Sequence, residues 1–204
     1  MNNTAENLYP NAAPFLQGIH YFAAEASADL PAPTAVISEG QSAIACIDDA
    51  AVYQTQLAAD ALRYLTLQVC GSKESGHPGG FASSADAYAA LVMLGHTNII
   101  TEVGHHAPGF YSAMFIDRSL EQMDIFNVDQ LMERFRETDG LLGHLSGAIP
   151  GLLAPAGPLG QGQHFAMAGA YLHPDKLFPF TLGDGGMGEP YVLSSMMHFN
   201  TSFP

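Results

Sequence analysis

The segment Leu177 to Leu182, LFPFTL, runs directly into Gly183-Asp184-Gly185-Gly186 and then into a helical pattern from about Glu189 to Phe199. A short apolar run that ends in a glycine-rich turn and opens a helix predicts a strand–turn–helix unit of an open α/β sheet. Such a turn lies at the carboxyl end of its strand, where ligands bind. Pro179 within the run is compatible with a short strand whose amide is not needed there. Glycines allow a close backbone approach to phosphate oxygens, and one carboxylate can hold a magnesium ion that those oxygens also bind, which makes Asp184 a candidate metal ligand. Asp-Gly is also common in ordinary turns, so this motif needs support from the rest of the chain.

That support begins with two helices around a glycine- and histidine-bearing loop. From Asp48 onward, Ala58, Leu62, Leu65 and Val69 fall on one stripe, with Leu57, Ala61 and Tyr64 beside it, and Gly71 supplies a stop signal. The loop SKESGHPGG follows, and Ser83 or Ser84 is the expected cap of a second helix ending near Leu94. A second His-Gly loop, Val103 to Gly109, leads into a third helix with Pro108 in its first turn. Asn127 with Gln130 reads as a capping box, the stretch from Leu141 to Gly162 as loop, and Gly160 to Leu172 as helix. Residues 1–47 have no sustained period and read as an irregular arm; residues 48–204 form the domain.

With 204 residues the chain is long enough for one well-buried domain, and no apolar run approaches the roughly 18 residues of a membrane span. The N-terminal segment resembles neither a secretory signal nor a transit peptide, so the expected location is cytoplasmic. Cys46 and Cys70 lack metal-ligand spacing and read as buried thiols. Six Lys plus Arg against twenty Asp plus Glu give a net charge of −14, which disfavours nucleic acid and anionic membranes as partners. An anionic cofactor would then depend on local help from histidines, helix N-termini or a divalent cation.

Four motifs occur in order: SGHPGG at Ser75 to Gly80, GHHAPG at Gly104 to Gly109, AGPLGQG at Ala156 to Gly162, and GDGGMGEP at Gly183 to Pro190. Together they resemble the transketolase superfamily of thiamine-diphosphate enzymes, over roughly Asp60 to Pro204. The resemblance implies a three-layer α/β thiamin-diphosphate-binding fold, with a mostly parallel sheet flanked by helices. It implies thiamine diphosphate and magnesium as cofactors and transfer of a two-carbon ketol unit between sugar phosphates. Under it, His77 contacts the reacting substrate, His105 lies near the cofactor diphosphate, and His144 in LLGHLSG is a looser match to a third active-site histidine. Gly157 and Leu159 approach the cofactor's rings, Asp184 binds magnesium, and Gly183 and Gly185 lie along the diphosphate. Glu189 corresponds to an acid used at the dimer contact and in proton communication, or is simply a favourable acid in a first helical turn. His20, His96, His106, His164, His173 and His198 are read as structural or surface residues, and Met187, Met196 and Met197 as core packing.

The chain also departs from that pattern. The superfamily's second magnesium ligand is an Asn on the order of 30 residues beyond the Gly-Asp-Gly turn, about one further helix-and-strand unit. Asn200 is too close to be that ligand, so the cofactor domain is expected to be C-terminally incomplete and the isolated chain inactive. A pyrimidine-binding domain, on the missing part or on another chain, and a homodimer are the expected partners. GHHAPGFYSAMF and GDGGMGEP look closer to the homodimeric pyruvate dehydrogenase decarboxylase component or to phosphoketolases. Decarboxylation of a 2-oxo acid is therefore the alternative reaction, and a non-catalytic remnant or interaction module the alternative of another class.

Overall fold

The computed structural model describes residues 49–93, 99–146, 149, 152–154, 157 and 159–202. The expected N-terminal arm, together with Cys46, His20 and His96, lies outside the described residues.

Helix α1, Asp49–Ser72, carries the predicted stripe. Ala58, Leu62, Leu65 and Val69 are fully buried, with Leu57 and Ala61 packed beside them and Tyr64 turned outward. The helix passes through Gly71 by one residue, and the backbone then turns back, with the amides of Glu74 and Ser75 donating to the carbonyls of Gly71 and Cys70. Helix α2, Pro78–Met93, starts earlier than the expected serine cap. Proline at the first position needs no amide partner and has its φ preset for a helix, so the turn forms at Pro78. Ser83 and Ser84 are thereby carried inside the helix, where their hydroxyls donate back to the carbonyls of Gly80 and Phe81.

Strand β1, Ile100–Thr101, follows. A single 3-10 turn at Gly104–His106 then leads into α3, Ala107–Ile116. Proline again sits in the first turn of that helix, as expected. After a second 3-10 turn at Ser119–Met123, α4 spans Val128–Arg134. Its cap is reciprocal: the Gln130 amide donates to the Asn127 side chain at 2.9 Å, and the Gln130 side chain accepts from the Phe126 amide at 2.8 Å. Helix α5, Gly162–Leu172, leads to strand β2, Phe180–Thr181. A short helix α6, Asp184–Met187, and helix α7, Pro190–Ser202, close the described chain.

Strands β1 and β2 pair in parallel, Ile100 opposite Phe180 and Thr101 opposite Thr181. The described residues are thus mainly helical with one small parallel sheet, an arrangement compatible with the expected α/β class. The ladder is short. The predicted strand over Leu177 to Leu182 contracts to Phe180–Thr181, both half-buried, with Leu177 exposed. Pro179 contributes its carbonyl, which accepts from the Ile100 amide at 2.9 Å, so its missing N–H costs no ladder bond. The paired strand β1 had no counterpart in the sequence reading, which went from helix straight to the His-Gly loop.

The main core lies among α1, α2, α3 and α4, around Leu62, Leu65, Phe81, Tyr111, Ile116 and Phe135. A smaller group, Ile100, Ala154 and Ala166 with Phe178 and Phe180 against it, packs α5 onto the strands. Of the methionines expected to pack inside, Met187 and Met197 are exposed, because they fall on the outer side of the α6–α7 segment.

Close packing of α3 on α2 rests on Gly109: a Cβ there would lie 2.1 Å from the Phe81 ring, itself buried in the core. Gly109→Ala therefore overpacks the core and is expected to lose about 1–3 kcal/mol in chemical denaturation. Gly79→Ala, at a helical position with open space around it, is expected to be neutral or to gain up to about 1 kcal/mol. Equal effects of the two would remove the Phe81 contact as the reason for glycine at 109.

Candidate functional site

Parallel pairing sets the carboxyl ends of β1 and β2 side by side. The chain leaving β1 is Glu102-Val103-Gly104-His105, and the chain leaving β2 is Leu182-Gly183-Asp184-Gly185. Threonines hold the ends together, with the Thr101 and Thr181 hydroxyls 2.9 Å apart and the Tyr88 hydroxyl 2.8 Å from that of Thr181. The Val103 amide donates to the Thr101 hydroxyl, which turns the chain out of the ladder toward the His-Gly loop.

Three of the singled-out histidines meet here. The His77 and His105 rings have centroids 5.4 Å apart. His144 lies against Gly104, where a Cβ would come within 2.1 Å of its Cδ2 atom. His105 in turn packs against Gly80 of the first loop: a Cβ there would be 2.8 Å from its Nε2 atom. Glycine is thus required at Gly80 and Gly104 because imidazole rings occupy the space of a side chain. His77 and His144 are exposed, and His105 is half-buried.

The His105 pKa is lowered, chiefly by burial and further by the neighbouring His77 and His144, while the Asp184 carboxylate pulls the other way. His105 is therefore held as a neutral imidazole, able to donate from one nitrogen and accept at the other. Asp184 itself is exposed at the start of α6.

The third motif reaches the same place. Leu159, half-exposed, would lie 3.7 Å from a Cβ at Gly185. Gly160 adopts φ +71°, and a side chain there would collide with Glu189, whose Cβ is 2.6 Å away. Glu189 thus covers the third loop from the residue preceding α7. Gly157 has φ +135° and open space about it, a conformation that favours glycine for its backbone alone. Gly183 packs on Val103.

Glu102 was not singled out from the sequence, yet it joins these loops. Its side chain is buried at 3% exposure and accepts the amides of Gly160 and of Gly183, the latter at 3.3 Å. Glycines surround it: a Cβ at Gly162 would meet its backbone nitrogen at 3.3 Å, and one at Gly186 would overlap its carboxylate. The available signal was an acid interrupting the β-branched run from Ile99 to Val103.

Among the other histidines, His106 is buried between Phe81 and Tyr88, and His164, His173 and His198 are exposed. Burial, with His105 adding to it, pushes the His106 pKa down to about 4, and a backbone hydrogen bond to Gly80 opposes the shift. Among the described residues no group of three or more His, Cys, Asp or Glu is arranged to hold a metal ion. No helix in the described residues is long and apolar enough to cross a membrane. No protein-family model and no curated protein matches the chain.

Two outcomes follow from this geometry. Glu102→Ala strands the Gly160 and Gly183 amides, each at a cost of about 1–3 kcal/mol if no water replaces the carboxylate. Both amides should then exchange with solvent deuterium faster than in the parent protein; unchanged protection would mean that Glu102 does not hold the loops. The second concerns His106: its folded pKa lies below the ordinary value of 6.5, so the unfolded chain takes up a proton first as pH falls. Its contribution is present above about pH 6.5 and is lost toward pH 4, with a slope of at most about 1.4 kcal/mol per pH unit. Denaturant midpoints measured across that window should fall less steeply in His106→Gln than in the parent.

Proposed function

We propose that this chain carries the diphosphate- and magnesium-binding part of a thiamine-diphosphate enzyme of the transketolase type, built on the three-layer cofactor fold. Its reaction is transfer of a two-carbon ketol unit between sugar phosphates. The observation that supports this reading is convergence. Residues from four ordered motifs, more than a hundred positions apart between His77 and Asp184, gather at the ends of one parallel strand pair. Among the described residues, the four histidines not assigned to the site are buried beside it or exposed on the surface.

The residues present fit the cofactor's polar end. Magnesium keeps near-octahedral coordination and is commonly held by one or two carboxylates plus phosphate oxygens, so a full protein cage is not required. Asp184 would hold the ion, with the glycine backbone at Gly183 and Gly185 leaving room for the diphosphate. His105, neutral in this setting, would donate a hydrogen bond to a phosphate oxygen without requiring a proton from solvent. Gly157 and Leu159 would border the rings of the cofactor. Bound thiamine diphosphate supplies the electron sink for cleaving and forming a carbon–carbon bond next to a carbonyl.

The chain's own part is to bind, orient and move protons. His77 and His144, exposed at the open side of the cluster, would exchange protons with the substrate's hydroxyl and carbonyl oxygens. Glu189, against the Gly160 turn, is positioned by the third loop and would act through it. A homodimer and a pyrimidine-binding domain complete the site in this reading.

Calorimetric titration of thiamine diphosphate with magnesium, into this chain and into a version carrying further downstream sequence, is the test. Binding that depends on magnesium and is lost in Asp184→Ala is the expected result. Undiminished magnesium dependence in that variant would remove Asp184 as the ligand. Where turnover is measurable, His77→Ala is expected to keep cofactor affinity and slow the reaction by about 10²- to 10⁴-fold. Absence of cofactor binding in either version would favour a non-catalytic module that keeps the motifs as fold.

A further inference from the structure

All six lysines and arginines of the chain lie in described residues, and four of them pair with a carboxylate. Arg63 pairs with Asp60 and Asp86, Lys73 with Glu137, Arg118 with Glu121, and Arg134 with Asp139. Arg136 and Lys176 have no carboxylate partner among the described residues, but Lys176 precedes β2, whereas the histidines gather beyond the carboxyl ends of the strands. The two acids that follow Arg136 in its own loop are already taken: Glu137 lies 2.6 Å from Lys73, and Asp139 lies 3.8 Å from Arg134.

The loop holds Arg136 in an unusual way. Its φ is +61°, in the left-handed region that residues with a Cβ seldom adopt. The conformation is fixed from both sides: the Arg136 amide donates to the Leu141 carbonyl at 2.6 Å, and the Leu141 amide donates to Arg134 at 2.9 Å. Phe135 and Leu141 on either side are fully buried. Residues held in sparsely populated backbone regions concentrate at functional sites, where the surrounding structure keeps them in place.

The side chain that results lies on the residue before His144. Its guanidinium packs on Gly143, where a Cβ would be 3.2 Å from Cζ and 3.3 Å from Nη2. The next residue is His144, whose ring lies on Gly104. On the other side its positive charge acts on the Cys70 thiol: burial pushes that thiol's pKa up, and Arg136 and the His77 amide oppose the rise. The guanidinium therefore stands between the loop of His144 and the start of the loop of His77, with Phe135 beneath it at 5.7 Å.

We propose that Arg136 is the anion-recognition residue of this site, binding the phosphate or carboxylate of the substrate whose carbonyl carbon is presented to His77 and His144. The inference rests on the function proposed above and names the substrate class for it. A guanidinium offers a planar pair of N–H donors that matches either anion bidentately. In a chain of net charge −14, long-range attraction of an anionic substrate is absent, so capture falls to a local cation free of a carboxylate partner.

The test uses the full chain and follows the imidazole C–H resonances of His77, His105 and His144 by NMR while inorganic phosphate, or separately pyruvate, is added. The expected result is saturable displacement of the His144 resonance by at least one anion, with binding about 10- to 100-fold weaker in R136Q. Preference for phosphate identifies a phosphorylated substrate, and preference for pyruvate a 2-oxo acid. Thiamine diphosphate with magnesium, titrated into the same two proteins, reports on the proposed function separately. If neither binds the cofactor while anion binding still depends on Arg136, the anion site stands and the enzyme reading falls. Anion binding that is equal in the parent and R136Q, or is sensed by His105 alone, or is missing for both anions, overturns the assignment of Arg136.

Discussion

A buried carboxylate with no cationic partner among the described residues organises the candidate site. Glu102 leaves β1 at the point where the ladder ends, and its oxygens receive the amides of Gly160 and Gly183. Desolvating a carboxylate is costly, and the cost is offset only where donors surround it closely. The backbone amides of Gly160 and Gly183 provide those donors, and Gly162 and Gly186 leave the carboxylate its space, since a Cβ at either would press on Glu102. The third and fourth motifs are thus fixed to one another through Glu102, two residues ahead of the second. Their glycines have a structural reason independent of any ligand.

Features carried by local chemistry were legible in the sequence. The apolar stripe of α1, the Asn127 cap and the proline in the first turn of α3 depend on neighbours within one or two helical turns, and the chain's own pattern determines them. The start of α2 was misread because two helix signals competed, and proline at the first position outweighed serines five and six residues later. Strand β1 was not legible for a different reason. Two residues are too few for a period to be recognised, and their ladder depends on Pro179, Phe180 and Thr181, some eighty positions away.

The site divides along the same line. His77, His105, His144 and Asp184 stood out because each interrupts a glycine-rich segment, and segments of that kind end at the carboxyl side of strands or at helix starts. Glu102 and Arg136 did not stand out, because their significance lies in what is missing around them. Among the described residues one lacks a cation and the other an anion, and a missing partner is visible only once the chain is folded. Glu189 was ambiguous between a helix-start acid and a functional group. Its packing over Gly160 adds a third role, that of holding the turn which carries Leu159.

The electrostatics of the cluster explain why histidine suits this chain. A strongly acidic protein that recruited lysines to an anionic ligand would tend to pair them with its own carboxylates, as happens to Arg63, Lys73, Arg118 and Arg134. Neutral imidazoles escape that competition. Burial and mutual repulsion lower the pKa of His105 and bring that of His106 to about 4, so both remain hydrogen-bonding groups without becoming counter-ions. Under the proposed function, charge for an anion would come from a divalent ion at Asp184 and from the guanidinium of Arg136. On that proposal the imidazoles would serve as uncharged proton-exchanging groups next to the charges that hold the ligand.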